Sequence, residues 1–491
     1  MHSNPPLHFN LIAAAHASMI EHGFQPDFPQ GVQTELDTIR THAEASSGLD
    51  AAGQDLRGLL WSSIDNDTSK DLDQIEWAEQ LPDGRVRVLV GVADVDARVV
   101  EGTLIDGHAR SETTSVYTGV KVFPMLPTEL SEGITSLNEN EDRAAIVVEF
   151  KVDEAGTVTE GKAYRALVVN RAQLAYNSVG AWLEGNGSAP PKVAANADLA
   201  AQLKLQDKAA QAMHGRRYQH GALDLETIET RPVTLAGDVV DLTRLEKNRA
   251  TSLIEEFMVA ANGVIARTFN DANVASIRRV VRTPKRWERI VELAAGLHTT
   301  LPAEPDSKAL NEFLLAQRDK DPDHFPDLSL AVIKLMGPGE YVLVEPGEAS
   351  PGHFGLAVHD YTHSTAPNRR FPDMVVQRIL KALLRKGEKP YSDDDLNAIA
   401  QRCTEMENAA RKVEREMSKR IAAVVLHPRI GQNFRAVVTG VNQYGTFVRA
   451  LDPHVEGMLV RGGHGLDVGD RVNVKLIATD PQRGFIDFAT A

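Results

Sequence analysis

Apolar positions at three- and four-residue spacing open the chain, first Leu11, Ile12, Ala15 and Met19 and then Val32, Leu36 and Ile39, a pattern that predicts two short amphipathic helices. Ala45-Ser46-Ser47-Gly48 reads as a linker. From Leu59 to Phe150 the texture is β: Arg85–Val92 alternates charged and β-branched residues, Asp83-Gly84 signals a hairpin turn, and Ala144–Phe150 is a short apolar run. Glu184–Ala195, rich in Gly, Pro, Ser and Ala, reads as a loop, whereas Arg249–Phe269, Asp373–Arg385 and Asp394–Val424 regain helical periodicity. After Pro428 the pattern predicts short strands at Asn433–Val441, Gly445–Ala450, Gly457–Val460, Arg471–Ile477 and Phe485–Phe488, which suit a small closed barrel. The expected fold class is α+β in three parts: a small helical region over residues 1–48, helix-turn-helix or winged-helix in type, a mixed α/β domain over 49–427, and a five-stranded β-barrel over 428–491.

Composition narrows the setting. The chain has 491 residues, a formal charge of −15, 42% hydrophobic and 25% charged residues, values of an ordinary globular protein. Its single cysteine, Cys403, allows no internal disulfide and no cysteine-based zinc site, which points to a reducing compartment, the cytoplasm by default. No apolar run approaches the ~18 residues of a membrane span. No Lys or Arg precedes Arg40, so the start reads as mature sequence rather than a signal or transit peptide. No GxxxxGK[ST] loop is present, so a nucleoside triphosphate is not an expected partner. A net acidic chain binds a polyanion only through local basic tracks. Two tracks qualify: Arg278, Arg279, Arg282, Lys285 and Arg286, and Arg411, Lys412, Arg415, Lys419 and Arg420 along one predicted helix.

The most informative segment runs from Ser63 to Gln74 and places Asp65, Asp67, Asp71 and Asp73 within nine residues. Two carboxylates ~4 Å apart repel by ~1 kcal/mol in water and ~4 kcal/mol at an effective dielectric near 20, so crowded acids commonly surround a cation. Oxygen ligands favour Mg²⁺, with Mn²⁺ as the alternative. In an extended segment Asp71 and Asp73 project to one side and Leu72 to the other, presenting a carboxylate pair to a cleft. An acidic surface loop is the other reading of the same spacing.

Ser63–Gln74, followed by Val90-Gly91-Val92-Ala93-Asp94-Val95, resembles the acidic signature of the ribonuclease II family. Further segments agree in order: Thr114-Ser115-Val116-Tyr117 with Pro124-Met125-Leu126-Pro127, Leu130-Ser131, Ser136-Leu137-Asn138 and Asp142-Arg143; the helix-like Leu253–Asn262; and Thr365-Ala366-Pro367-Asn368-Arg369-Arg370-Phe371-Pro372-Asp373, in which Ala366, Asn368 and Phe371 depart mildly from the family motif. The resemblance covers roughly residues 55–420. It implies a metal-dependent hydrolytic 3′→5′ exoribonuclease that degrades single-stranded RNA processively to nucleoside 5′-monophosphates, acting as a monomer.

Carried over position by position, Asp73, Arg369 and Asp71 become the catalytic set and Asp65, Asp71, Asp73 and Gln74 the metal site. Tyr117 becomes the clamp on the terminal nucleotide and Glu414 a late helical glutamate near the product end. Gln74 stands where the family usually has a second adjacent aspartate, which leaves open a catalytically weakened RNA-binding protein of the same fold. An enzyme acting on DNA is a third reading. Before the resemblance is invoked, Arg369 reads rather as a structural partner of Asp373, and Tyr117 equally as a core residue.

Thr439–Val448, Val455–Leu459 and Asp467–Val472 resemble the ribosomal S-one type of OB-fold, a binder of single-stranded RNA. Tyr444 and Phe447 are its candidate RNA contacts, joined by Arg449 and Arg461, and Arg278, Arg279 and Arg282 are candidates in the central domain. From Pro428 onward there are seven Lys and Arg against six Asp and Glu, so this region is far less acidic than the whole. Family members commonly carry two cold-shock-type domains ahead of the acidic cluster. Here only about sixty residues precede it, so the helical start is expected to guide RNA in their place.

Overall fold

The computed structural model describes residues 9–45, 53–235 and 238–491. Of the predicted linker, Ala45 closes a helix and residues 46–48 lie outside the described residues. Along the chain, α1 (Leu11–Glu21) and α2 (Val32–Ala45) precede β1 (Gln54–Asp55), β2 (Trp61–Asp65), β3 (Gln74–Gln80) and β4 (Val86–Ala93). Next come α3 (Leu104–Glu112), a small hairpin of β5 (Val116–Tyr117) and β6 (Val122–Phe123), and the long strands β7 (Asp142–Val152) and β8 (Val158–Ala175). Helices α4 (Tyr176–Leu183), α5 (Pro191–Ala194) and α6 (Ala197–Gln219) lead to the ribbon β9 (Glu229–Leu235) and β10 (Asp238–Leu245), then to α7 (Arg249–Asp271). β11 (Ser276–Val280) precedes α8 (Trp287–Gly296), α9 (Ser307–Lys320) and α10 (Phe325–Met336), and β12 (Glu340–Val344) follows them. The chain ends with α11 (Phe371–Arg385), α12 (Asp393–Leu426) and the strands β13 (Asn433–Asn442), β14 (Gly445–Leu451), β15 (His454–Arg461), β16 (Arg471–Asp480) and β17 (Phe485–Thr490).

The central sheet has the order β1-β8-β2-β3-β4-β7. Strand β8 pairs antiparallel with β7 through its first part and parallel with β2 through its last, so the sheet closes on itself. Trp61, buried completely, fills one face, and Gly91 makes room for it: a Cβ there would lie 3.1 Å from Ile75 Cγ1 and 3.5 Å from the indole. Phe150 of β7 meets Phe257 of α7 edge to face, sealing the sheet against its helices.

Several elements lack a clear sequence signal. The predicted loop Glu184–Ala195 contains α5, which begins on Pro191, a position where the missing N–H leaves no hydrogen bond unmade. Helices α6, α8, α9 and α10 and the ribbon β9–β10 are further additions that tertiary packing supports. The barrel closes in the order β13-β14-β15-β17-β16. It packs on the last turns of α12, whose Ala422, Ala423 and Leu426 join Phe434, Val448 and Phe488 in one core.

The two N-terminal helices do not form a unit of their own. Val32, Leu36 and Ile39 of α2 enter the central core, whereas Leu11, Ala15 and Met19 of α1 pack with Val116 and Phe123 of the hairpin and with Met406, Val413 and Met417 of α12. A separate helix-turn-helix is therefore replaced by two struts, because each amphipathic face finds a different apolar partner. Among the described residues no helix is long and apolar enough to cross a membrane.

A polar contact pins α1 to α12. Ser18 Oγ donates to Glu416 Oε2 at 2.8 Å, and His22 Nε2 lies 3.0 Å from Oε1. Burial works to raise the Glu416 carboxyl, but the bonds from His22 and Ser18 outweigh it and hold the group below its usual range. Such an acid adds stability that is fully present above its unfolded value of about 4.3 and is lost as pH falls through the lower native value. Hydrogen exchange across Leu11–Glu21 is expected to accelerate below about pH 4 in the native chain, and Glu416→Gln is expected to show faster exchange already at pH 7 with a flatter pH response.

Candidate active site

The site forms where β2 ends and β3 begins. Asp65 closes β2, and its Oδ1 accepts from the Asn66 N–H at 2.7 Å and from Ser69 Oγ at 2.8 Å, which folds the acidic loop back on itself. The loop is anchored from below. Leu72 is buried, its N–H donates to Ser136 Oγ at 3.0 Å, its carbonyl accepts from the Leu137 N–H at 2.9 Å, and Ser136 Oγ donates to the Lys70 carbonyl at 2.7 Å. This is the alternation expected from sequence: Leu72 sinks into the core while the acids on either side face away from it.

Asp73 is 1% exposed and reaches across 296 positions of chain. Its Oδ1 accepts from the Asn368 N–H at 2.9 Å and its Oδ2 from Arg369 Nε at 3.1 Å. The segment that delivers Arg369 is fixed on both sides: Ser115 N–H donates to the Arg369 carbonyl at 3.0 Å, Phe371 N–H to the Thr113 carbonyl at 2.8 Å, and Thr135 Oγ1 to Asn368 Oδ1 at 2.6 Å. Thr113 adopts a φ of 61°, a left-handed conformation unusual for a β-branched residue, at the turn from α3 into the hairpin strand. The alternative partner Asp373 is taken by Arg370, at 2.8 Å, and by the Ala366 N–H, at 2.8 Å. The Arg369 side chain is held at Nε by Asp73 and stays 46% accessible overall.

Tyr117 joins the site from the hairpin. Its hydroxyl donates to Asp71 Oδ2 at 3.0 Å, its backbone N–H donates to Glu414 Oε1 at 3.3 Å, and 40% of the residue is exposed, so it is no core tyrosine. Asp71, Asp73, Tyr117, Arg369 and Glu414 thus gather from four separate stretches of sequence. Burial pushes Asp73 from 3.8 up to about 7, although Arg369 and the Asn368 N–H pull the other way and Asp71 adds repulsion. Burial likewise raises Asp65 and the Tyr117 hydroxyl. Burial opposes the charge on Arg369, yet Asp73, Tyr117, Asp65 and Asp71 together hold the guanidinium more firmly protonated than usual.

Gln74 opens β3 and is buried. Two residues on, Glu76 is fully buried, and neither carboxylate oxygen has a hydrogen-bond partner. Sequence reading passed over Glu76, yet the alternation of β3 places it on the face of Gln74. Among the described residues no three His, Cys, Asp or Glu side chains form a ready-made metal cage.

The first basic track is split: Arg282, Lys285 and Arg286 are exposed, whereas Arg278 and Arg279 are buried. β11 is buried along its whole length. Arg278 is 1% exposed, donates to Asn270 Oδ1 at 2.6 Å and lies over the Phe269 ring, while Arg279 forms a forked pair with Glu407 at 2.6 and 2.8 Å over Tyr341. Arg282 is half exposed and paired with Glu340. The flanking Ile277, Val280 and Val281 draw Arg278 and Arg279 into the core, where they meet an internal amide, acid and rings. In the barrel, Tyr444 is 76% exposed at the β13–β14 turn. Phe447 is half-buried outside the barrel core, to which Val448 and Ala450 contribute instead. Arg449 is engaged by Asp327 at 2.7 and 3.0 Å.

A model of the RNB domain matches residues 53–386. The chain belongs to the RNB family. The model of the RNase II-type exonuclease C-terminal S1 domain matches residues 432–491, the region of the barrel. Ribonuclease R of Thermotoga maritima is 30% identical over 497 residues, covering 94% of this chain and 68% of that protein. Ribonuclease R of Vibrio cholerae is 31% identical over 425 residues, covering 82% of this chain and 50% of the relative. This RNB chain therefore spans about half to two thirds of the length of these relatives. Its fold matches that of Mycoplasma genitalium RNase R in complex with ribose methylated single-stranded RNA, with a TM-score of 0.84 at 24% identity, covering 98% of this chain and 78% of the other.

The displaced pKa of Asp73 makes the RNB site measurable without substrate. A carboxyl that is protonated more readily in the native chain subtracts stability as pH rises from its unfolded value toward its native one, by at most about 4 kcal/mol for a shift from 3.8 to about 7. Asp73→Asn removes that dependence, so the melting temperature of the variant relative to the native chain is expected to rise between pH 5 and pH 8 when the two are compared by calorimetry.

Proposed function

We propose that this RNB chain is a metal-dependent hydrolytic exoribonuclease that shortens single-stranded RNA from its 3′ end, processively, releasing nucleoside 5′-monophosphates. The observation that carries this reading is the meeting of Asp73 with Arg369, beside Asp71 and Tyr117. A phosphodiester is already anionic, so hydrolysis needs positive charge at the scissile phosphate and an oriented water.

Arg369 meets the first need. Asp73 accepts from its Nε while the side chain stays 46% accessible, and the planar guanidinium fork suits two phosphate oxygens. Tyr117 meets a positional need: its ring is open for stacking on a terminal base of any identity, and both Asp71 and Glu414 hold the residue in place. The carboxylates of Asp65, Asp71 and Asp73, with the amide of Gln74, would supply the oxygen ligands that a small divalent cation such as Mg²⁺ or Mn²⁺ takes. When bound, such an ion supplies a more acidic water and neutralises phosphate charge. The barrel, with Tyr444 at its exposed turn, extends the path for single-stranded RNA.

The reading is tested by incubating the full chain with 5′-labelled single-stranded RNA or DNA in Mg²⁺ or in EDTA. Stepwise shortening of the labelled RNA, with the DNA left intact and EDTA abolishing the reaction, is the expected result. Binding without cleavage would reassign the chain as a catalytically silent RNA binder, and cleavage of DNA would reassign its substrate. Asp73→Asn is expected to stop hydrolysis while RNA binding persists in a filter assay. Arg369→Lys is expected to lower kcat by about 100-fold or more. Tyr117→Ala is expected to weaken substrate binding by about 1–3 kcal/mol, the worth of one stacked base, read mainly in KM.

A further inference from the structure

We propose that Arg231, on the β9–β10 ribbon, is a phosphate contact for single-stranded RNA between the barrel and the active site, an inference that rests on the RNA-degrading reading above. The ribbon touches two segments that carry site residues. Arg231 Nη2 donates to Thr68 Oγ1 at 2.7 Å and Nη1 to Asp67 Oδ1 at 3.3 Å, both in the acidic loop between Asp65 and Asp71. Pro232, the next residue, packs on Gly119, two residues beyond Tyr117: Gly119 has a φ of 82°, and a Cβ there would lie 3.3 Å from Pro232 Cγ. Because the Tyr117 hydroxyl is itself bonded to Asp71, residues 231 and 232 bridge two segments that meet at the site.

Across the ribbon Pro232 pairs with Leu242, which packs against both the barrel core and the cluster that joins α1, α12 and the hairpin. The ribbon thus runs from the barrel to the acidic loop. Neighbouring residues of a strand project to opposite faces, so Arg231 leaves the ribbon on the side away from Pro232 and Leu242. Of the ribbon's two arginines, Arg244 is taken by Glu226 at 2.5 Å, whereas the Arg231 side chain stays 42% accessible. Thr68 and Asp67 engage one N–H on each terminal nitrogen and leave the remaining guanidinium donors for a ligand. The Asp67 contact is long for a charge-assisted bond, and an ion pair this exposed adds little stability, so a phosphate oxygen replaces Asp67 at small cost while Thr68 keeps the fork oriented. Such a contact reads charge and not base identity, which suits a substrate of any sequence.

The test measures binding of a fluorescent 2′-O-methyl RNA to the full chain by anisotropy, in EDTA and across a KCl series. Uniform strands are compared with strands carrying one uncharged methylphosphonate linkage at successive positions from the 3′ end. Arg231→Ala is expected to bind the uniform strand about tenfold more weakly at low salt. It is also expected to flatten the dependence of log K on log[KCl] by about 0.7, the share of one phosphate contact on a single strand. Arg231→Lys is expected to keep the native slope, which separates loss of the charge from misfolding. One methylphosphonate position is expected to weaken binding by the native chain and to leave Arg231→Ala unaffected. Native affinity and slope in Arg231→Ala would overturn the contact. A loss of affinity with an unchanged slope, or with the native response to every methylphosphonate strand, would overturn it too, since that pattern belongs to a displaced acidic loop. A native chain that binds no RNA would overturn the RNA reading itself, and the proposal with it.

Discussion

The buried carboxylate of Asp73, bonded at once to a backbone N–H and to the guanidinium of Arg369, is the constraint on which the site depends. Taking such a group out of water costs several kcal/mol unless charge-assisted bonds replace its hydration, and removing either partner leaves a charge stranded. The two bonds therefore fix the start of β3 to the turn before α11 in one arrangement. The surrounding contacts serve that arrangement. Leu72 and Ser136 hold the acidic loop, Thr113 and Ser115 hold the Arg369 turn, and Arg370 occupies Asp373, which would otherwise compete for Arg369.

Helix α12 carries the constraint outward. At about 1.5 Å per residue its 34 residues span roughly 50 Å. Along that length it meets β12, then α1 and the hairpin that bears Tyr117, and at its end the core of the barrel. Glu414, from the middle of this helix, accepts the Tyr117 N–H, so Tyr117 is positioned by the same rod that positions the barrel. Helix α1 packs against that hairpin and against α12.

Charge is distributed by the same logic. The chain carries a formal −15, and much of its local basic density is engaged internally: Arg279 by Glu407, Arg449 by Asp327, Arg378 and Lys381 by Asp94, Asp96 and Asp106. A count of cations along a sequence therefore overstates the surface available to a polyanion, because each cation drawn inward by apolar neighbours must bring an acid or a ring with it.

What the sequence determined by itself is what short-range pattern can encode. Period-two alternation marked β4, period-3.6 spacing marked α7, α11 and α12, the Gly- and Asp-punctuated strands after Pro428 marked the barrel, and the ordered motifs singled out Asp65, Asp71, Asp73, Tyr117, Arg369 and Glu414. Only the tertiary structure decided which groups meet. Arg369 serves Asp73, 296 positions away, and not Asp373, four positions away, while Arg278 lies over Phe269 and Glu76 is left without a donor, all outcomes of how the elements pack. Burial is a property of the assembled core, and the strength of a charge follows from its burial, so neither could be read from local spacing alone.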